Sequence, residues 1–280
     1  MMNILLPTDF SENAWNAISY AIDFFESSEC NFYLLHVNRI EGMVAGLESY
    51  MPTAEVIEEN YTKPSRNKLR QLLKEISENH RPNKKHRFYT LTDNYFFLES
   101  IRKHVEEKKI DMIVMGTKGA SGLKEYIVGS NTGDVITKVK CTTLVVPEYA
   151  KYNALKEIAF PSDFNLSYDI NILQPLTDIL KDVKSNLRII YIQNKDASLN
   201  PEQQNNRELL NDYFEEFSPS FHFLTNKKVK DAIQCFVESR DIDMIVMVAK
   251  NLNYFQNILF HTKVEKITYH TDIPFLVLHE

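Results

Sequence analysis

Two short phrases in this 280-residue chain occur twice. Pro7-Thr8-Asp9-Phe10 returns as Pro161-Ser162-Asp163-Phe164, and Asp111-Met112-Ile113-Val114-Met115 returns as Asp243-Met244-Ile245-Val246-Met247. The first recurs 154 residues on and the second 132 residues on, so the second copy is 22 residues shorter between them. Solenoid repeats run about 20 to 50 residues, so a period this long marks a duplicated whole domain. The join is expected between Glu148 and Asn153, giving domains at 1–150 and 151–280, each large enough to bury its own core.

Within each copy, strand-length apolar runs alternate with helical ones. In the first, Asn3 to Leu6, Asn31 to Val37, Arg87 to Leu91, Asp111 to Met115 and Thr142 to Val146 read as strands. Between them Ser11 to Phe25, Arg66 to Glu78, Tyr95 to Lys108 and Asn131 to Lys138 read as helices. In the first helix Ala14, Ile18, Ala21, Ile22 and Phe25 recur at three- and four-residue intervals behind Ser11, a natural N-cap. The second copy repeats the order, with strands at Glu157 to Phe160, Leu187 to Ile192, Ser220 to Leu224, Asp243 to Val248 and Phe275 to Leu278. Its helices are expected at Tyr168 to Lys181, Pro201 to Phe217, Val229 to Ser239 and Lys263 to Tyr269. Strict alternation with continuously apolar strands predicts parallel sheets covered by helices on both faces. Ligands of such sheets bind at the carboxyl ends of strands, where the strand order reverses. Asp9, Val37 and Gly116 fall at three such ends.

Five of the seven glycines lie between Gly116 and Gly133, three of them spaced Gly116-x2-Gly119-x9-Gly129-Ser130, and none follows. Glycine lets main-chain N–H groups press against a ligand, at an entropic cost that argues against idle use. A strand before this loop and a helix start after it favour an anion, because exposed N–H groups and the helix dipole both attract negative charge. Neither a Walker loop nor a dinucleotide fingerprint after the first strand occurs, which disfavours most P-loop enzymes and dehydrogenases. A carboxylate at Asp9 can accept from ribose hydroxyls and would repel phosphate. Its alternative role is that of a turn residue before the first helix.

The formal net charge of -6 gives no footprint for nucleic acid, and Lys84-Lys85-His86-Arg87 is most simply a solvated run. The N-terminus enters a strand without a basic segment and long apolar run, so no secretory signal is expected. No uncharged apolar run approaches the roughly 18 residues that cross a bilayer. A cytoplasmic protein without membrane contact is expected, with Cys30, Cys141 and Cys235 as small core residues in a reducing compartment. The segment Asn38 to Pro64, where much of the 22-residue difference falls, is expected to be a surface loop at the crevice end, with a cover over a ligand as the alternative.

On the Gly116, Gly119, Gly129, Ser130 spacing, the chain resembles a tandem universal stress protein, and its first copy resembles the adenine-nucleotide-binding branch of that family. The resemblance implies two tandem Rossmann-like (adenine nucleotide alpha hydrolase-like) domains, each an α/β fold with a five-stranded parallel sheet in the order 3-2-1-4-5. It implies ATP, with or without Mg2+, in the first crevice, and a pairing of the two domains that leaves a further homodimer open. Carried onto this chain, it assigns Pro7, Thr8 and Asp9 to the edge of adenine and ribose and Val37 to the adenine pocket. Met115 and Gly116 would line base and ribose, and Gly119, Gly129, Ser130, Asn131 and Thr132 would surround the phosphates, with Lys118 and Lys124 as charge partners. Asn131 stands where the family pattern has an apolar residue.

Aligned on the shared Asp-Met-Ile-Val-Met, the second copy carries Val248, Asn251, His261 and Thr262 in place of Gly116, Gly119, Gly129 and Ser130. Side chains there restrict φ and fill the space of a triphosphate, so the second copy is expected to be a packing partner or to take another ligand through Asp163, Lys250 and His261. No catalytic set is evident. The leading expectation is an ATP-binding regulatory or sensor protein of the stress response. The alternatives are slow ATP hydrolysis or autophosphorylation at Ser121, Ser130 or Thr132, and a ligand-free interaction module.

Overall fold

The computed structural model of the chain describes residues 1–40, 52–94, 96–117, 130–165, 169–193, 198–226, 229–249 and 273–279. The chain divides into two compact units, the first holding the strands β1 to β4 and the second most of β5 together with β6 to β10. In chain order the first half runs β1 (Met2–Pro7), α1 (Glu12–Phe24), β2 (Cys30–Val37), α2 (Ala54–Ile57), α3 (Lys63–Asn79) and β3 (His86–Asp93). It continues through α4 (Phe97–Glu107), β4 (Met112–Gly116), α5 (Ser130–Lys138) and β5 (Thr142–Val146). The second half holds β6 (Glu157–Pro161), α6 (Gln174–Val183), β7 (Asn186–Gln193), α7 (Pro201–Tyr213), β8 (Ser220–Thr225), α8 (Val229–Ser239), β9 (Met244–Val248) and β10 (Phe275–Leu278).

The expectation of two separate five-stranded parallel sheets is overturned. The ten strands form one continuous mixed sheet in the order β3-β2-β1-β4-β5-β10-β9-β6-β7-β8. The change of direction comes at β5 and β10, which pair antiparallel with Leu144 opposite Leu276 and Val145 opposite Phe275. The cause is chemical. Thr142-Thr143-Leu144-Val145-Val146 and Phe275-Leu276-Val277-Leu278 are buried throughout and carry neither charge nor proline. Left as sheet edges they would offer rows of unpaired N–H and C=O groups, which folded proteins cover or pair.

The second repeated phrase has a structural explanation. Asp111 N–H donates to Asn3 O at 2.9 Å while its Oδ2 accepts from Asn3 N–H at 2.7 Å. In the second half Asp243 N–H donates to Glu157 O at 2.8 Å and its Oδ2 accepts from the N–H groups of Lys156 and Glu157. Each aspartate follows a residue in the left-handed region, Lys109 or Asp241, both at φ 48°. It thereby locks the start of β4 against β1, or of β9 against β6.

Helix boundaries follow local chemistry. Ser11 caps α1, accepting from Ala14 N–H at 3.2 Å. The helix read from Arg66 begins twelve residues earlier, at Ala54 behind a Thr53 cap, and passes through a π turn at Glu58–Thr62 into α3. Pro64 has no N–H to continue an α ladder, and the wider turn bonds Lys63 N–H to Glu58 O instead. In the second half a 3-10 turn, Ile170–Leu173, leads into α6, while α7 ends at Tyr213 ahead of another, Glu215–Phe217. The helix expected at Lys263 to Tyr269 lies outside the described residues.

In the first unit Leu5, Leu35, Ile101, Ile110, Ile113, Met115, Val135, Val139 and Cys141 pack into one buried cluster between the sheet and the pair α4 and α5. Full burial of one such aliphatic side chain contributes about 1.5–3 kcal/mol, so this cluster fixes the ends of β1, β2 and β4 in place.

Candidate functional site

Strand β1 pairs with β2 on one side and β4 on the other, so the strand order reverses at its carboxyl end. Pro7 ends β1, Val37 ends β2 and Gly116 ends β4. Thr8 N–H donates to Leu35 O at 2.8 Å, which carries the chain one residue past β1 before it turns.

That turn is the first repeated phrase. Thr8 Oγ1 accepts from Phe10 N–H at 3.0 Å, and Asp9 Oδ1 accepts from Ser11 N–H at 3.0 Å and Ser11 Oγ–H at 2.5 Å. Ser162 Oγ accepts from Phe164 N–H at 3.1 Å, and Asp163 Oδ1 accepts from Asn165 N–H at 3.0 Å. Phe10 and Phe164 both take positive φ, 63° and 56°, a costly setting for a bulky side chain that the two side-chain acceptors hold. Asp9 is nonetheless exposed, whereas Pro7 and Thr8 are buried.

Val37 packs, partly buried, against the buried cluster of which Met115 is a member. At Gly116 the glycine has a local reason. A Cβ there would run into the Asn13 carboxamide of α1, with Cγ at 2.8 Å and Oδ1 at 2.9 Å. Thr132 is 3% exposed and its Oγ1–H donates to Gly116 O at 2.8 Å, tying α5 to the end of β4. Ser130 and Asn131 stand exposed in the first turn of α5. Gly119, Gly129, Lys118, Lys124 and Ser121 lie outside the described residues, as do Lys250, Asn251, His261 and Thr262. Val248 ends β9 and is buried.

Sequence reasoning passed over three groups at this end of the sheet. Asn13 is a buried amide on a helix face of alanines and isoleucines, a polarity break visible in the sequence. His36 Nδ1–H donates to Thr8 O at 2.8 Å; a carbonyl only accepts, so Nδ1 carries the proton. Burial outweighs this bond, which by itself favours the protonated ring, and sets the His36 imidazole below its ordinary pKa, so it is neutral near pH 7. Its ring lies 4.5 Å from that of Phe10, over which Lys68 Nζ sits at 5.4 Å. Third, a partly buried chain of amides and hydroxyls closes the ends of β2 and β3. Ser65 Oγ–H donates to Asn38 Oδ1, Asn38 Nδ2–H to Asn94 Oδ1, and Asn94 Nδ2–H to Thr62 Oγ1, at 2.5, 2.8 and 3.1 Å.

Cys30 and Cys141 are buried, and burial pushes both thiols up to about 12; Cys235 is exposed, which corrects the expectation of three core cysteines. Among the described residues no group of three or more His, Cys, Asp or Glu could hold a metal ion, and no helix is long and apolar enough to cross a membrane.

Residues 1–147 match the sequence profile of the Universal stress protein family. Universal stress protein MJ0577 of Methanocaldococcus jannaschii is 30% identical over 158 residues, which span 51% of this chain and 93% of that protein. Universal stress protein YxiE of Bacillus subtilis is 27% identical over 146 residues, 51% of this chain and 97% of its own. The crystal structure of a universal stress protein from Archaeoglobus fulgidus matches over 99% of this chain and 96% of its own, with a TM-score of 0.63 at 17% identity, a likeness of fold.

Proposed function

Because the chain belongs to the universal stress protein family, we propose that it binds ATP at the carboxyl ends of β1, β2 and β4 and acts as a nucleotide-dependent regulator in the stress response. The observation that carries this reading is the spacing Gly116-x2-Gly119-x9-Gly129-Ser130, which begins where β4 ends and finishes where α5 begins. The residues present fit the ligand. Val37 and Met115 offer an apolar wall to a base, and the exposed Asp9 carboxylate offers acceptors to ribose hydroxyls while its charge keeps phosphate away. The N–H groups at the start of α5, with the Ser130 hydroxyl, offer donors to phosphate oxygens. Thr132 serves differently from its neighbours, since its hydroxyl proton is engaged by Gly116 O; it ties the first turn of α5 to the end of β4.

In this reading residues 1–150 are the nucleotide-binding domain and 151–280 its degenerate partner in a cytoplasmic tandem protein. Val248, Asn251 and His261 replace the three loop glycines, and each adds a Cβ where bare main chain is needed. The test is thermal. A ligand that prefers the folded state stabilises it, by about 2.7 kcal/mol at a hundredfold excess over Kd, so millimolar ATP raises the Tm. Gly129→Val abolishes the rise and Asn251→Ala keeps it. A Tm that ignores ATP overturns the proposal.

A further inference from the structure

Apart from these strand ends, α1 carries Trp15, Ser19 and Asp23 four residues apart, a single stripe along the helix. His80, the residue that closes α3, lies against that stripe. Its Nε2 is 2.9 Å from Ser19 Oγ and its Nδ1 is 3.2 Å from Asp23 Oδ1. A carboxylate only accepts, so Nδ1 holds the ring proton toward Asp23, and Nε2 turns a lone pair toward the Ser19 hydroxyl. The ring is held in place. His80 N–H donates to Ile76 O at 2.9 Å, and the Trp15 ring lies 6.2 Å away at 58°. The His80 side chain is 12% exposed, Ser19 is partly buried, and Asp23 is 51% exposed, so the trio lies at the surface rather than sealed in the core.

Hydroxyl, imidazole and carboxylate thus stand in the order that activates a serine: the base on Oγ, and the base itself oriented by an acid. We propose that Ser19, His80 and Asp23 form an acyl-transfer site for small activated carboxylic esters. Ser19 Oγ bonds to the ester carbonyl carbon, its proton passes to His80 Nε2, the bond from that carbon to the leaving oxygen breaks, and the proton on Nε2 goes to that oxygen. Water then releases the acid by the same proton path in reverse. Ser19 lies inside α1, where its own N–H is engaged in the helix ladder and is no oxyanion donor. The site therefore suits substrates with good leaving groups, such as aryl esters, over ordinary alkyl esters or amides.

The test treats the full chain with p-nitrophenyl acetate and, separately, with a fluorophosphonate probe located by peptide mass spectrometry. The expected result is a label on Ser19 and nitrophenolate release well above the uncatalysed rate. Ser19→Ala removes the label and returns release to the uncatalysed rate; His80→Gln slows it by about 100-fold or more, the usual contribution of a general base. Asp23→Asn, at an exposed position where folding is preserved, slows it about tenfold by loosening the imidazole. Absence of label on Ser19, or a label and rate indifferent to Asp23→Asn and His80→Gln, overturns the proposal and leaves the trio as a pin between α1 and α3.

Discussion

A side chain at Gly116 would meet the Asn13 carboxamide. A Cβ at 2.8 Å from Asn13 Cγ forces the amide aside, and overpacking of this kind costs about 1–3 kcal/mol. Gly116→Ala is therefore expected to destabilise the chain by that amount in urea denaturation, and Asn13→Ala in the same chain to restore most of it. A double variant no more stable than the single one would remove Asn13 as the reason. His104 supplies a second residue-scale prediction. It is 8% exposed on α4, with Nε2 3.3 Å from Asp93 Oδ2, an oxygen that Lys103 Nζ also meets at 3.3 Å. Burial outweighs the attraction of Asp93 and Glu107, with Lys103 and Lys108 adding to it, and holds the imidazole below its ordinary pKa. The unfolded chain then takes up a proton near pH 6.5 and the folded chain does not, so stability is full above that pH and falls below it. His36 and His222 are shifted the same way. The Tm should drop between pH 7.5 and 5.5, and His104→Gln should flatten part of that slope. An unchanged slope would contradict the assignment.

At the scale of elements, the strand that closes each half matters most. Leu276 of β10 is fully buried opposite Leu144 of β5. Leu276→Asp places a charge between β5 and β9, neither of which carries one, and such a burial costs several kcal/mol, about 3 or more. A loss below about 1 kcal/mol in denaturation of the full chain would mean that the two strands do not pair as described. Strand and helix identities were legible because the periods of apolar residues differ, as in Asn31 to Val37 against Ala14, Ile18, Ala21 and Ile22. The antiparallel join was not legible, since a strand's own pattern records that it is buried and not which strand covers its edge. The early start of the helix before Pro64 was hidden by that proline, whose π turn keeps the axis running where a break is the ordinary outcome. The ends of β1, β2 and β4 could be read from the residues after each apolar run. Asn13 against Gly116, and the chain from Ser65 through Asn38 and Asn94 to Thr62, could not, because each is an ordinary polar residue until the fold brings its partner near.

Across the whole molecule, the two halves share one feature and differ in another. The Pro-Thr/Ser-Asp-Phe turn has matching side-chain to backbone hydrogen bonds and a positive φ at the Phe in both halves, so its recurrence reflects how β1 and β6 end. The glycine spacing after β4 has no counterpart after β9, where Val248 begins the equivalent stretch. On the proposed function, a nucleotide that needs bare main chain around its phosphates finds that chemistry once per chain, in the first half. Titration calorimetry of the full chain with ATP tests this most directly. The account predicts a stoichiometry of one, lost in Gly129→Val and unchanged in His261→Ala; two sites per chain, no heat of binding, or binding that survives Gly129→Val would contradict it.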